Sequence, residues 1–259
     1  MTPPARNDHR QSGWAIRFDW GLSGATAIAD GAGAVVVVDV LSFTTTLSVA
    51  IDEGIEVYPF RIRDASAAAF AATRGAVLAI GRREAGPTGV SLSPLSVQEA
   101  ARTGPLATSR KLVLPSPNGS TISRQLAESG AVVVGACLRN AAAVAAWITA
   151  GAVRGPVAVV AAGERWPGDQ LRPAVEDLWG AGAVVNALLR CGFGTASPEA
   201  GAAAAAYREL DRTVGPALAS CASGQELIAD GYGTEIDLAA QENVSSKVPV
   251  LVGESFRSV

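Results

Sequence analysis

The sequence predicts an α/β fold, a parallel or mixed sheet with helices on both faces and a helical C-terminal region. Three observations carry this. Short Val-rich runs recur along the chain, each apolar enough to be a strand buried on both faces. A stretch of helical composition follows each run. Glycines stand where several of those helices should stop. Strands alternating with helices call for helices packed on the faces of one sheet.

The first run, 34–40, reads A-V-V-V-V-D-V and predicts a buried strand. Ser42 and the threonines after it open a helix that ends near Gly54. A strand over 55–60, a helix over 64–74 and a strand over 76–80 follow. A turn at 91–94 leads into a short helix over 94–102. The pattern then restarts with a strand at 111–114, a Pro-Asn-Gly-Ser turn at 115–120 and a helix at 121–128. Gly130 caps that helix, and 131–136 reads as a strand. Next come a helix at 140–150, a strand at 157–162 and a long helix at 173–190. The chain to 241 reads as helical, broken near Pro198, Pro216, Gly224 and Gly231, and 248–252 as a last strand.

A shift of 76 residues lays 37–57 on 113–133, with Thr45 on Thr121 and Gly54 on Gly130. A generic βαβ pattern would also produce this match. If the echo is structural, two similar loops lie at carboxyl ends of strands, where open α/β sheets bind ligands. Residues 13–259 are expected to form one α/β unit. The alternative is two α/β lobes with a boundary near 103–111.

Hydrophobic residues make up 49% of the 259 and charged residues 17%, the balance of a chain with a sizeable core. Net charge is −3 and no Lys/Arg run occurs, so a nucleic-acid partner is not expected. Three cysteines without a C-x-x-C spell neither a disulfide framework nor a zinc ribbon. No apolar run reaches about 18 residues, the length a membrane span needs. The polar start, 1–12, lacks a hydrophobic signal core and reads as a disordered arm. Together these predict a cytoplasmic protein.

The one histidine, His9, falls in that arm, which removes Ser-His-Asp triads, histidine phosphatases and His-built zinc sites. A C-x5-R cysteine phosphatase fails because Ala143, Ser197 and Leu227 stand where the arginine should be. Neither a P-loop nor a G-x-G-x-x-G turn is present. Asp39 is followed by Val40 and Leu41, so a D-x-D-x-T nucleophile signature is also missing. Catalysis must then rest on carboxylates, hydroxyls, amides, arginine and a metal.

Three segments suit that chemistry. Asp39 ends a buried strand, a costly position without a partner, and a bound cation would supply one. Ser42, Thr44 and Thr45 follow at a helix start, an arrangement suited to an anion. The second segment, Ser116 to Thr121, repeats strand, turn and helix. The third is Glu176-Asp177 on the long helix. Each has an ordinary structural reading as well: an N-cap, a β-turn and a solvated acidic pair.

With these residues in place, the chain resembles the 2-phosphosulfolactate phosphatase family. Arg17-Phe18-Asp19-Trp20-Gly21 is similar to that family's R-x-E-W-G, and 39–46 to its D-V-L-R-A-T-T-T. Gly81-Arg82-Arg83 and Leu92-Ser93-Pro94 stand where G-E-R and N-S-P are usual. Pro117 to Ser120 is similar to T-N-G-T, Asn140-Ala141 to N-A, and Glu176-Asp177 with Ala181-Gly182 to E-D…A-G. Ser223-Gly224, Leu227, Asp237 and Val248-Pro249 continue the order. The departures are Ser42 for Arg, Phe43 for Ala, Arg82 for Glu and Leu92 for Asn.

The resemblance implies Mg²⁺-dependent release of phosphate from a small anionic phospho-hydroxy acid. The family's type activity is hydrolysis of 2-phosphosulfolactate, which serves coenzyme M biosynthesis in methanogens. Asp39 and Asp177 are then expected to be catalytic, with Asp39, Glu176 and Asp177 holding the metal. Ser42, Thr44, Thr45, Arg83, Asn118, Gly119, Ser120 and Asn140 are expected to bind substrate. Two other readings stay open: a metal-dependent enzyme on another small organic acid, and a non-catalytic binder of an anionic metabolite. Membrane partners are not expected, and a homodimer is the default assembly.

Overall fold

The computed structural model describes residues 7–61, 64–86, 89–210 and 213–259. Its first half runs β1 (Ile16–Trp20), α1 (Gly21–Ile28), β2 (Ala34–Val38), α2 (Phe43–Asp52), β3 (Glu56–Phe60), α3 (Ala65–Arg74), β4 (Val77–Leu78), α4 (Pro94–Arg102), α5 (Leu106–Ser109), β5 (Lys111–Pro115) and α6 (Gly119–Leu126). The second half runs β6 (Val132–Ala136), α7 (Ala141–Trp147), β7 (Val157–Ala161), β8 (Glu164–Arg165), β9 (Leu171–Arg172), α8 (Val175–Arg190), α9 (Pro198–Arg208), α10 (Val214–Ser220), α11 (Ala222–Ala229), α12 (Thr234–Ala239), β10 (Pro249–Val252) and β11 (Ser255–Ser258).

Nine strands form one mixed sheet in the order β1-β7-β2-β6-β10-β11-β3-β5-β4. The first four are mutually parallel, as are β3, β5 and β4. The antiparallel β10–β11 hairpin joins the two blocks, with a single paired residue at each joint, Val250 with Val134 and Phe256 with Val57. The expected sheet is thus present as one sheet of two blocks. The boundary expected near 103–111 falls inside the second block, just before β5.

Alternation along β2 divides the core. Val36 and Val38 enter one apolar layer with α7, α8 and α9, while Val35 and Val37 enter the other with α1, α2, α4 and α6. All five β2 residues are fully buried. Each such valine contributes roughly 1.5–3 kcal/mol by leaving water.

The 76-residue echo is structural. It carries β2 onto β5, α2 onto α6 and β3 onto β6, and both Gly54 and Gly130 take positive φ, 73° and 82°. The hydroxyl of Thr45 donates to the Val40 carbonyl, and that of Thr121 to the Ser116 carbonyl, the same bond one repeat later. The repeats cross over: β2 lies in the first block and β3 in the second, β5 in the second and β6 in the first.

Some elements went unread. The strand β1 carries Arg17 and Asp19 and so lacks an apolar run. Buried Arg17 is satisfied by the carbonyls of Ile28 and Asp30. The β8–β9 hairpin and β11 are two to four residues long. The arm expected over 1–12 is structured from Asn7: Asn7–Arg10 makes a 3₁₀ turn, and the Gln11 side chain bonds both the N–H and the carbonyl of Phe18. Residues 1–6 lie outside the described ones. Among the described residues no helix is long and apolar enough to cross a membrane.

Candidate active site

Asp39 follows the buried strand β2 and is itself only 5% exposed. Its carboxylate joins the two repeats. Oδ1 accepts the Phe43 N–H at the start of α2 (3.2 Å), and Oδ2 accepts the Gly119 N–H at the start of α6 (2.9 Å). The Ser116 hydroxyl donates to Oδ2 at 3.4 Å. Helix N-termini favour a negative charge, so both helices point their positive ends at one carboxylate. Burial nevertheless pushes the Asp39 pKa up, and these N–H bonds oppose the shift.

A cavity of about 140 Å³ opens beside Asp39. Ser42, Arg82, Ser116, Asn118 and Glu164 are its other polar lining residues. Asn118 donates Nδ2–H to Glu164 Oε2 at 2.9 Å and accepts from Arg165 Nε at 3.1 Å. Burial and the nearby Asp39 charge push the Glu164 pKa up to about 7. Arg82 also lines the cavity, clamped to buried Glu235 through Nε and Nη2, and donates to Ser42 Oγ at 2.7 Å.

Asp177 does different work from that expected. In the first turn of α8 its Oδ1 accepts the Val40 N–H (2.7 Å) and its Oδ2 the Gly163 N–H (2.8 Å), tying the ends of β2 and β7 together. Burial, with Asp39 and Glu176 close by, raises its pKa well above the usual range. Glu176 is buried beside the Cys221 thiol, whose pKa rises to about 11, mostly through burial and then through Glu176. Among the described residues no three acidic, histidine or cysteine side chains converge where they could hold a metal ion.

The expected phosphate cradle divides. Ser42, Asn118 and the Gly119 backbone meet at Asp39, and Ser42 and Asn118 line its cavity. The Thr44 hydroxyl donates to the Asp39 carbonyl, Thr45 to Val40 and Ser120 to Leu114, so these three buried hydroxyls brace the turns instead. The Asp39 carboxylate already occupies the helix N–H groups on which an anion was expected. Asn140 holds the loop after β6 through Cys137, Gly135 and Lys247. Arg83 is exposed and paired with Asp230, while its neighbour Arg82 reaches the cavity.

Glu164, Ser116, Arg82 and Glu235 escaped sequence reasoning. Glu164 had a usable signal, since it follows the buried strand β7 as Asp39 follows β2. Ser116 stood inside a segment already singled out. Arg82 was in view as a departure from the family's G-E-R, and Glu235, 153 residues further on, had no signal.

The model of the 2-phosphosulpholactate phosphatase family matches residues 24–254. A protein of Deinococcus radiodurans named "Probable 2-phosphosulfolactate phosphatase" is 31% identical over 220 residues, 83% of this chain and 86% of the relative.

Proposed function

Because this chain belongs to the 2-phosphosulfolactate phosphatase family and is a phosphatase by that membership, we propose that it releases phosphate, with Mg²⁺, from a small anionic phospho-hydroxy acid bound in the Asp39 cavity. The observation that carries this reading is the pairing of Asp39, fixed between two helix starts, with Glu164, tuned to about 7, on one small cavity.

The donor set fits Mg²⁺ in an open form. Mg²⁺ is usually held by one or two carboxylates, with water and substrate phosphate completing the shell. Asp39 and Glu176, two buried acids of which Glu176 adds to the cost of ionising Asp39, are the residues that would hold it. When bound, the cation would draw charge from the phosphoryl oxygens.

The chain's own residues do the rest. Ser42 and Asn118 offer donors to the phosphate. Water attacks phosphorus, and the ester P–O bond breaks with its electron pair going to the leaving oxygen. Protonated Glu164 gives that oxygen its proton and regains one from the attacking water, whose other hydrogen stays on the phosphate. A pKa near 7 suits a group that both gives and takes a proton. The reading is tested by phosphate release from a panel of phosphorylated hydroxy acids and sulfo-acids, with Mg²⁺ and with chelator. Mg²⁺-dependent release selective for one ester supports it, and no release from any ester by folded protein rejects it.

A further inference from the structure

Arg82 is the one basic residue lining the Asp39 cavity among the described residues. Its side chain is 18% exposed and that of Glu235 3%. Nε bonds both Glu235 oxygens (3.0 and 3.1 Å), and Nη2 bonds Oε2 (2.6 Å) and Ser42 Oγ (2.7 Å). The Tyr232 ring lies 5.6 Å from the guanidinium carbon. These contacts use Nε and Nη2. Nη1 makes no hydrogen bond among the described residues. The result is a planar cation held from three sides with one nitrogen left over, a form suited to a carboxylate or sulfonate.

The identity of Ser42 bears on this. Positions 42 and 82 are the two charged positions at which this chain departs from the family pattern, Arg to Ser and Glu to Arg. They touch in the fold. The Ser42 hydroxyl accepts from Arg82 Nη2 at 2.7 Å, and both residues line the cavity.

We propose that Arg82, positioned by Glu235 and Ser42, is the specificity-determining residue that binds a second anionic group of the substrate, a carboxylate or sulfonate next to the phosphoester. This rests on the phosphatase reading for its turnover arm, but its binding arm stands separately. A phosphate held near Asp39 would place the rest of a small ester against the Arg82 wall.

The test compares 2-phosphoglycerate, which carries a carboxylate, with glycerol 2-phosphate, which does not. The full chain is used with Mg²⁺, as wild type, Arg82→Lys, the neutral pair Arg82→Gln with Glu235→Gln, and the exchange Ser42→Arg with Arg82→Glu. Removing a charged hydrogen bond should lower the ratio of kcat/KM for the two esters by about tenfold or more in the neutral pair. Arg82→Lys should retain part of the ratio, and the exchange should recover part of it. An unchanged ratio, or equal losses on both esters, overturns the proposal. If the wild type releases no phosphate, the phosphatase reading fails and the thermal shift produced by each ester decides. Stabilisation by 2-phosphoglycerate that the neutral pair selectively loses sustains the role of Arg82, and no selective loss overturns it.

Discussion

Gly119 donates its backbone N–H to the Asp39 carboxylate at 2.9 Å, although the two residues stand on different repeats. A Cβ on residue 119 would lie 2.3 Å from Phe43 Cδ1 and 2.8 Å from Asp39 Oδ2. Glycine is required here for close approach, not for a special φ. One carboxylate therefore ties together the starts of α2 and α6, and the ends of β2 and β5 are drawn to a common point.

Asp39→Asn tests that junction. Asparagine brings one carbonyl and one NH₂, so a donor must face either Phe43 N–H or Gly119 N–H. Turnover should be lost, and the unpaired contact should cost about 1–3 kcal/mol. Phosphate release and urea unfolding read the two effects. Wild-type activity in this variant would remove Asp39 from the site. Gly119→Ala should lose activity too, with about 1–3 kcal/mol of overpacking.

Asp177→Asn should be primarily a stability variant. Both carboxylate oxygens accept backbone N–H groups, from Val40 and Gly163. An amide can accept from only one oxygen, which leaves the other N–H opposed by a donor at a cost of about 1–3 kcal/mol. A shift in the urea midpoint with unchanged slope checks it. An unchanged midpoint would contradict the clamp.

The two hydroxyl braces differ in length, 2.7 Å for Thr45 to Val40 and 3.4 Å for Thr121 to Ser116. Thr45→Val should therefore destabilise more than Thr121→Val, by about 1 kcal/mol. Parallel denaturant curves on the two variants give the order directly. Equal losses would mean that the longer contact is a full hydrogen bond in solution.

In chelator, Glu164 should make stability fall as pH rises. Its folded pKa is raised to about 7 from the ordinary 4.5. Between those values the folded protein binds more protons than the unfolded chain, so the unfolding free energy declines with pH. Asp39 and Asp177, also raised, act in the same direction. The wild type should thus melt higher near pH 5 than near pH 7.5, and Glu164→Gln should show a smaller fall. An equal fall in both proteins would place the effect elsewhere.

How far the chain could be read beforehand follows from where its interactions are local. The strand β2 and the starts of α2 and α6 were legible, because a valine run, a strand-end acid and hydroxyl turns act within a few residues of one another. The 76-residue repeat was visible for the same reason. What the hydroxyls do was not legible. An N-terminal Thr45 reads alike whether it faces a phosphate or the Val40 carbonyl, and only packing decides. The Asp177 clamp spans 137 residues to Val40, and the Arg82–Glu235 pair spans 153. Neither leaves a local pattern. The β1 strand was hidden by Arg17, whose charge is satisfied by backbone carbonyls at the end of α1 and in the turn that follows it.

Asn118 offers the sharpest check on Glu164. Its Nδ2–H donates to Glu164 Oε2, a bond that favours the carboxylate and holds the pKa below what burial and Asp39 alone would set. Asn118→Ala removes that donor and also frees Arg165 Nε from its contact with the Asn118 carbonyl oxygen. The Glu164 pKa should therefore rise above about 7, since loss of a hydrogen bond to the charged form disfavours that form. Carboxyl titration by ¹³C NMR in chelator follows Glu164 directly once Glu164→Gln has assigned its resonance. A rise sustains the Asn118–Glu164 coupling. A fall would mean that the released Arg165 guanidinium turns toward the carboxylate, and the proton-transfer role would then have to be carried at lower pH.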